Sequence, residues 1–252
     1  MLLAEAGHRV KFVSLTDGSA GHHEMKGAAL VQKRRAEAEE AASRLGIDAY
    51  EGLDYTDGEL MPTLEVRRDV IRLIREWQAD VVVGPRPNDY HPDHRYAGRV
   101  IQDAAYQVQV PNTMPEVEPT DGNPVFLYFE DQFQRPRPFR PDVSVIVDEV
   151  LDRKIDALDA HESQFYGWLP WTEGTIDEIP EEETARKAWL KERWMRPVSA
   201  EERERLGRWY PADRARQAQY VESFQLTEYG HQASEEEIAR LFSVFPDGSR
   251  RQ

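Results

Sequence analysis

The stretch Asp80-Val81-Val82-Val83-Gly84-Pro85-Arg86-Pro87-Asn88-Asp89-Tyr90-His91-Pro92-Asp93-His94 passes from an apolar, β-branched run into a polar loop that carries two imidazoles. Three consecutive valines suit a strand inside a parallel sheet, where both faces are covered. Gly84, Pro85 and Pro87 end that strand, and a helix is expected from His94 to about Val108. Upstream, Val66, Val70, Ile71, Ile74 and Trp77 recur at helical spacing and predict a helix over 64–77.

Further outward the pattern repeats. A short strand is read at 49–53, before the acidic turn Asp57-Gly58, and a long helix over about 28–45 is closed by Gly46. A strand at 10–15 precedes it. Residues 1–6 read as the last turns of a helix with Gly7 as its left-handed terminator, too short to nucleate alone. Alternating helices and strands predict an α/β fold, a Rossmann-like three-layer sandwich with a mostly parallel sheet. Ligands of such sheets sit beyond the carboxyl ends of the strands, so the loops 16–21, 55–58 and 84–94 are expected to converge on one site.

Downstream, a loop is read at 111–123, strands at 124–129 and 143–147, and a helix over about 149–166. Beyond Gly167, Trp168, Trp171, Trp189, Trp194 and Trp209 fall in an acidic, helical segment. The expected organisation is a domain over 1–167 with a helical, Trp-rich extension over 168–252 packed on it.

Composition narrows the function. The 252 residues hold 47 acidic and 32 basic side chains, a net charge of -15. Such a surface repels phosphate backbones and anionic lipid, so neither nucleic acid nor a membrane surface is an expected partner. No apolar run is long enough to span a bilayer, and the start lacks the basic leader and apolar stretch of a secretory signal, so the expected location is cytoplasmic. With no cysteine, any metal must be held by His, Asp or Glu.

His91-Pro92-Asp93-His94 concentrates that chemistry. Pro92 fixes its own backbone angle and stiffens the turn. Asp93 falls where the next helix begins, a favourable place for a negative charge. One imidazole is suited to bind a metal while the other titrates near neutral pH, and Asp93 is placed to hold a proton on His91. A bare His-x-x-His is a weak signal that also arises from capping and surface residues. Here it follows a buried strand and brings Asn88, Asp89 and Asp93 with it, which favours function.

The run from Pro87 to Arg95 resembles the second signature of the LmbE-like (PIG-L) zinc-dependent N-acetylglucosaminyl deacetylase family. The resemblance extends to Leu15-Thr16-Asp17-Gly18, to Arg34 and Glu37 before Leu45-Gly46, and to Asp57-Gly58. It continues through Lys154, Ala157, His161, Ser163 and Gln164, then Tyr220, Glu222 and Phe224. It implies a zinc ion that activates water against the N-acetyl carbonyl of a sugar or glycoconjugate. His94 would be this loop's metal ligand, and His91 would stabilise the tetrahedral intermediate or protonate the leaving amine, oriented by Asp93. Arg34, Asp57, Asp89 and His22 would contact substrate.

The family's first signature, His-Pro-Asp-Asp, supplies two further ligands and the general base, and this sequence does not contain it; its first His-Pro is His91-Pro92. Where a first strand and that signature are expected, the chain reads as N-terminally shortened. With one strong ligand, zinc is expected to be weakly bound or absent and deacetylation impaired. A catalytically silent binding or scaffold protein of the same fold is the alternative, and homo-oligomerisation stays open. His22 and His23 follow Gly21 in a strand-end loop; surface placement is favoured for His23, while His22 is balanced between that and the site. His161 is read as a buried structural histidine, and His8 and His231 as structural turn residues. Packing is the ordinary role of the tryptophans, with Trp168 and Trp171 the best placed to line a pocket or an oligomer contact. The loop at Asp17-Gly18 lacks the spacing and lysine of a phosphate-binding loop.

Overall fold

The structure, a computed structural model, describes residues 1–245. The chain is a mixed α/β fold whose strands form a two-stranded and a four-stranded sheet. It divides into two compact units interleaved along the sequence.

The first unit comprises Met1–Gly58, Ile146–Val198 and Ala218–Tyr220. A short helix α1 (Leu2–Glu5) ends at Gly7, whose φ is 90°, as the glycine suggested. Strand β1 (Lys11–Thr16), helix α2 (Gly27–Leu45) and strand β2 (Ala49–Tyr55) follow. The two strands run parallel, Lys11 opposite Ala49 and Thr16 opposite Tyr55, and α2 supplies the crossover that parallel strands require. Leu30, Ala38, Ala41 and Ala42 form the buried stripe of α2, which packs against α5 (Leu151–Asp159). After a short helix α6 (Leu169–Glu173), α7 (Glu183–Trp194) lies on α5. Glu182 caps α7, its carboxylate accepting from Thr184 N at 3.0 Å and Ala185 N at 2.7 Å. Among the described residues β1 pairs with β2 alone, and Phe12 and Val13 on it are 49% and 40% exposed.

One expected element is redrawn here. The single helix read over 149–166 is three pieces: a 3-10 turn at Asp148–Val150, then α5, then a π-helical turn at Ser163–Trp168 that runs directly into α6. The physical reason lies in α2. The buried Glu37 carboxylate takes the Ser163 backbone N–H at 2.8 Å and its hydroxyl at 2.6 Å, drawing the chain off the α-helical path.

The second unit comprises Glu59–Val145, Ser199–Gln217 and the chain from Val221 on. Helix α3 (Leu64–Trp77) occupies the predicted bounds, with Thr63 Oγ1 accepting from Val66 N at its start. Strand β3 (Val81–Gly84), helix α4 (Pro92–Gln107), strand β4 (Val125–Phe129) and strand β5 (Val143–Ile146) follow. Two short helices, α8 (Ala200–Leu206) and α9 (Ala212–Gln217), precede strand β6 (Val221–Gly230) and helix α10 (Glu235–Phe242). The sheet order is β3-β4-β6-β5, with β3 parallel and β6 antiparallel to β4. The ten-residue β6 lies inside the segment read from sequence as helical.

A side chain the sequence reading did not single out organises one edge of this unit. Arg75 of α3 is 1% exposed. Its guanidinium donates to five backbone carbonyls, those of Gln107, Val108, Val110, Met114 and Val117, at 2.7–3.0 Å. The buried cation is thereby hydrogen-bonded at every nitrogen, the condition under which such burial is tolerated. It fastens the end of α4 and the loop behind it to α3.

Candidate functional site

In the second unit the His-Pro-Asp-His loop is held from several directions. Gly98 on α4 gives it room, since a Cβ there would stand 2.5 Å from the Pro85 carbonyl oxygen. Arg86, buried, donates Nε to Asp131 Oδ2 at 2.6 Å, pairs its Nη2 with the other carboxylate oxygen, and reaches the Phe133 and Arg137 carbonyls. Arg95 Nη1 reaches back to the carbonyls of Asp89 and Tyr90 at 2.7 and 2.8 Å. The loop backbone is thus fastened at both ends, with the His94 imidazole exposed and that of His91 half-buried.

The helix begins one residue earlier than Asp93. His91 is its N-cap, with Nδ1 accepting from the Asp93 backbone N–H at 3.2 Å, and Pro92 takes the first helical position. The Asp93 carboxylate is buried and accepts from Leu60 N at 3.2 Å. Asp89 Oδ1 accepts from His91 N at 2.9 Å and stands 3.0 Å from His94 Nδ1. Asp89, His91, Asp93 and His94 are therefore brought together in one unit, and the recorded link from Asp93 to His91 runs through the backbone N–H.

These contacts separate the two imidazoles chemically. His94 Nδ1 faces a carboxylate oxygen, so that nitrogen carries the proton and Nε2 presents a lone pair. His91 Nδ1 accepts a hydrogen bond from the Asp93 backbone N–H, so in the neutral ring Nε2 carries the N–H. One ring is prepared as a ligand and its neighbour as a donor. Their centroids lie 4.9 Å apart, with Tyr90 edge-on to both at 5.8 and 5.6 Å. With no cysteine in the sequence the available donors are imidazole nitrogen and carboxylate oxygen, and in this loop the His94 ring stands beside the Asp89 carboxylate. That donor chemistry fits an ion of the zinc type.

In the first unit the loops after β1 and β2 are laced together. Asp17 Oδ1 accepts from Ser19 N at 2.9 Å and Asp57 N at 3.0 Å, and Asp57 Oδ2 accepts from Ala20 N at 3.2 Å. Burial alone would raise the Asp17 pKa, but the hydrogen bonds from Ser19 and Asp57 outweigh it and hold the carboxyl below its ordinary range. Arg34 of α2 reaches Gly21 O at 2.6 Å through Nη2 and pairs Nη1 with Gln164. One turn on, Glu37 binds Ser163. The Arg34/Glu37 pair and the neighbouring Ser163/Gln164 pair are thus two halves of one clamp.

His22 belongs to the same loop. Its Nδ1 accepts from Glu24 N and Met25 N, both at 3.1 Å, and its Nε2 faces Gly167, where a Cβ would come within 2.9 Å. Burial, then the neighbouring His23 and Arg34, push its pKa down. Burial likewise lowers that of His161. His22 stacks on His23 at 4.7 Å, His23 on Trp171 at 5.2 Å and Trp171 on Trp168 at 5.4 Å, a run of four near-parallel rings. Arg34, Asp57 and His22 therefore share one neighbourhood, joined by Trp168.

Comparison with known proteins gives a consistent picture. Residues 1–105 match the family model PIG-L, described as GlcNAc-PI de-N-acetylase. The diacetylchitobiose deacetylase of Thermococcus kodakarensis is 31% identical over 173 residues, a match covering 65% of this chain and 62% of that protein, so the chain spans less than two thirds of that relative. The crystal structure of the N,N'-diacetylchitobiose deacetylase of Pyrococcus horikoshii with its inhibitor MPG superposes with a TM-score of 0.63 at 24% identity, covering 89% of this chain and 75% of that one. GalB, the 4-carboxy-2-hydroxymuconate hydratase of Pseudomonas putida KT2440, gives 0.64 at 23%, covering 92% and 88%. The last two establish likeness of fold, and they carry different chemistries on it.

Proposed function

We propose, from the premise that the chain is a relative of the PIG-L (LmbE-like) deacetylases over residues 1–105, that its chemistry is zinc-dependent hydrolysis of the N-acetyl group of an amino sugar or glycoconjugate. The observation that carries the reading is the opposed hydrogen bonding of two adjacent imidazoles, His94 Nδ1 facing the Asp89 carboxylate and His91 Nδ1 accepting from the Asp93 N–H. Zinc, when bound, would supply Lewis acidity toward the amide carbonyl and its attacking water. His94 would hold it, kept in the correct tautomer by Asp89. His91 would donate its Nε2–H to the oxygen that gains negative charge, or to the departing amine. Asp93 keeps that ring in place by capping the loop against Leu60. The donors of His-Pro-Asp-Asp are not in this sequence, so zinc is held weakly and turnover is low in the chain as given.

The test is zinc content and acetate release measured together on a chitobiose-type substrate. His94→Gln is expected to remove the residual zinc, and His91→Gln to leave zinc unchanged while lowering acetate release by about 10²-fold or more. Identical zinc content and turnover in wild type and both variants would overturn the reading. A second reading, a silent sugar-binding protein, is favoured by the missing signature; binding of the substrate with no acetate release at saturating zinc would select it.

A further inference from the structure

Among the described residues, strand β1 is paired along one edge only. Val10 O accepts from Asp48 N at 2.9 Å and Ala49 N at 3.3 Å, and Lys11 stands opposite Ala49, so the ladder to β2 runs through the backbone groups of Val10 and Phe12. The alternation of a parallel ladder then turns the N–H and C=O of Val13 away from β2. The side chains tell the same story. Consecutive strand residues point to opposite faces of a sheet, yet Phe12 and Val13 are both exposed. A helix laid on one face would cover only one of them. A strand laid along the edge brings side chains to both faces and takes the outward backbone groups as well.

Sheets blunt an open edge with proline, a bulge or a projecting lysine. β1 contains no proline, and its irregularity falls late, between Ser14 and Thr16. Its one charge, Lys11, is drawn back across the ladder onto Glu51 at 2.5 Å, where the lysine side chain is 14% exposed. The edge around Phe12 and Val13 is therefore unguarded.

We propose that this edge is a homodimer interface, in which β1 of a second copy adds antiparallel about a two-fold axis centred on Val13. The strand is its own complement, which selects a second copy over a foreign strand. With Val13 opposite its own counterpart, Phe12 falls opposite Ser14 and Lys11 opposite Leu15, so no like charges meet. Two sheets of two strands become one of four, a usual size for a stable sheet. The net charge of -15 sets the salt response. The copies repel at long range while the contact itself is uncharged, so added salt screens the repulsion and tightens the dimer. A contact built on ion pairs would loosen instead.

Sedimentation velocity of the intact chain at about 100 µM, enough to populate a contact of micromolar strength, is expected to show a dimer that strengthens with salt. Amide hydrogen exchange at Val13 is expected to slow as the protein is concentrated. Val13→Lys sets two ammonium groups opposite each other from an exposed position and is expected to weaken the dimer about tenfold with the melting temperature unchanged. Val13→Thr keeps a β-branched residue and is expected to keep the dimer. Should Val13→Lys lower the melting temperature, Phe12→Ser makes the same comparison on the opposite face and is expected to weaken the dimer. A monomer at every salt concentration, a dimer that salt dissolves, or a dimer indifferent to these substitutions overturns the proposal.

Discussion

The loop at 17–23 and the loop at 88–94 both leave the carboxyl end of a parallel strand, but they are stabilised in contrasting ways. The first is fastened through side chains: Asp17 to two backbone amides, Arg34 to Gly21, His22 to Glu24 and Met25, and a four-ring stack beside it. The second is held by Arg95, by the close seat on Gly98 and by Asp89, His91 and Asp93 accepting backbone N–H groups, and it leaves the His94 ring exposed. The contrast teaches that a loop whose rings are stacked on one another serves as a wall, whereas one that leaves an imidazole exposed has a side chain to spare for chemistry. Damage to the first is expected to appear as lost stability, and damage to the second as lost ligand.

The largest effect tests the wall. Glu37→Ala strips the carboxylate from the Ser163 backbone N–H and hydroxyl in a buried site and is expected to cost about 3 kcal/mol in chemical denaturation. A loss below about 0.5 kcal/mol would show that the clamp between α2 and the π-helical turn is not a stabilising element. A middle effect tests the chemical loop. Asp89→Asn replaces the group that fixes the His94 tautomer, and zinc affinity should fall about tenfold to a hundredfold while the melting temperature stays near that of wild type. A matching loss of stability would erase the distinction between the two loops.

The smallest effect concerns pH. His161 has its folded pKa pushed below the ordinary 6.5 by burial, with Arg34 adding to the effect and Glu37 opposing it. As pH falls through about 6.5 the unfolded chain takes up the proton first, so stability is full above that value and declines toward the depressed folded pKa. His22 contributes in the same sense. Unfolding followed between pH 7 and 5 should show this decline, and His161→Gln should flatten it; an unchanged slope would remove His161 from the account.

Much of this was legible in sequence because the decisive signals were local. Helix α3 falls on its predicted residues because Thr63 caps it and its apolar positions recur at helical spacing. The His-Pro-Asp-His loop announced itself by residue type. What stayed hidden depends on partners distant in the chain. Strand β6 escaped because its fully buried positions include Ser223 and Thr227, so its inward face does not read as apolar; Ser223 is satisfied only by Ser144 and Glu202, far away in sequence. The break after α5 is imposed by Glu37, and Trp168 gains its place through rings from the 22–23 loop. Zinc-type donors could be named from composition, whereas the opposed tautomers of His91 and His94 needed the positions of Asp89 and a backbone N–H.

Arg75 has a practical consequence. A protease that cuts after arginine must draw an extended segment into its cleft, and here the guanidinium, on the last turn of a helix, is enclosed among five carbonyls. Cleavage after Arg75 therefore requires α3 to come apart from the end of α4, whereas the many surface arginines require no such opening. The rate of that single cut, set against cuts elsewhere, counts how often the second unit opens.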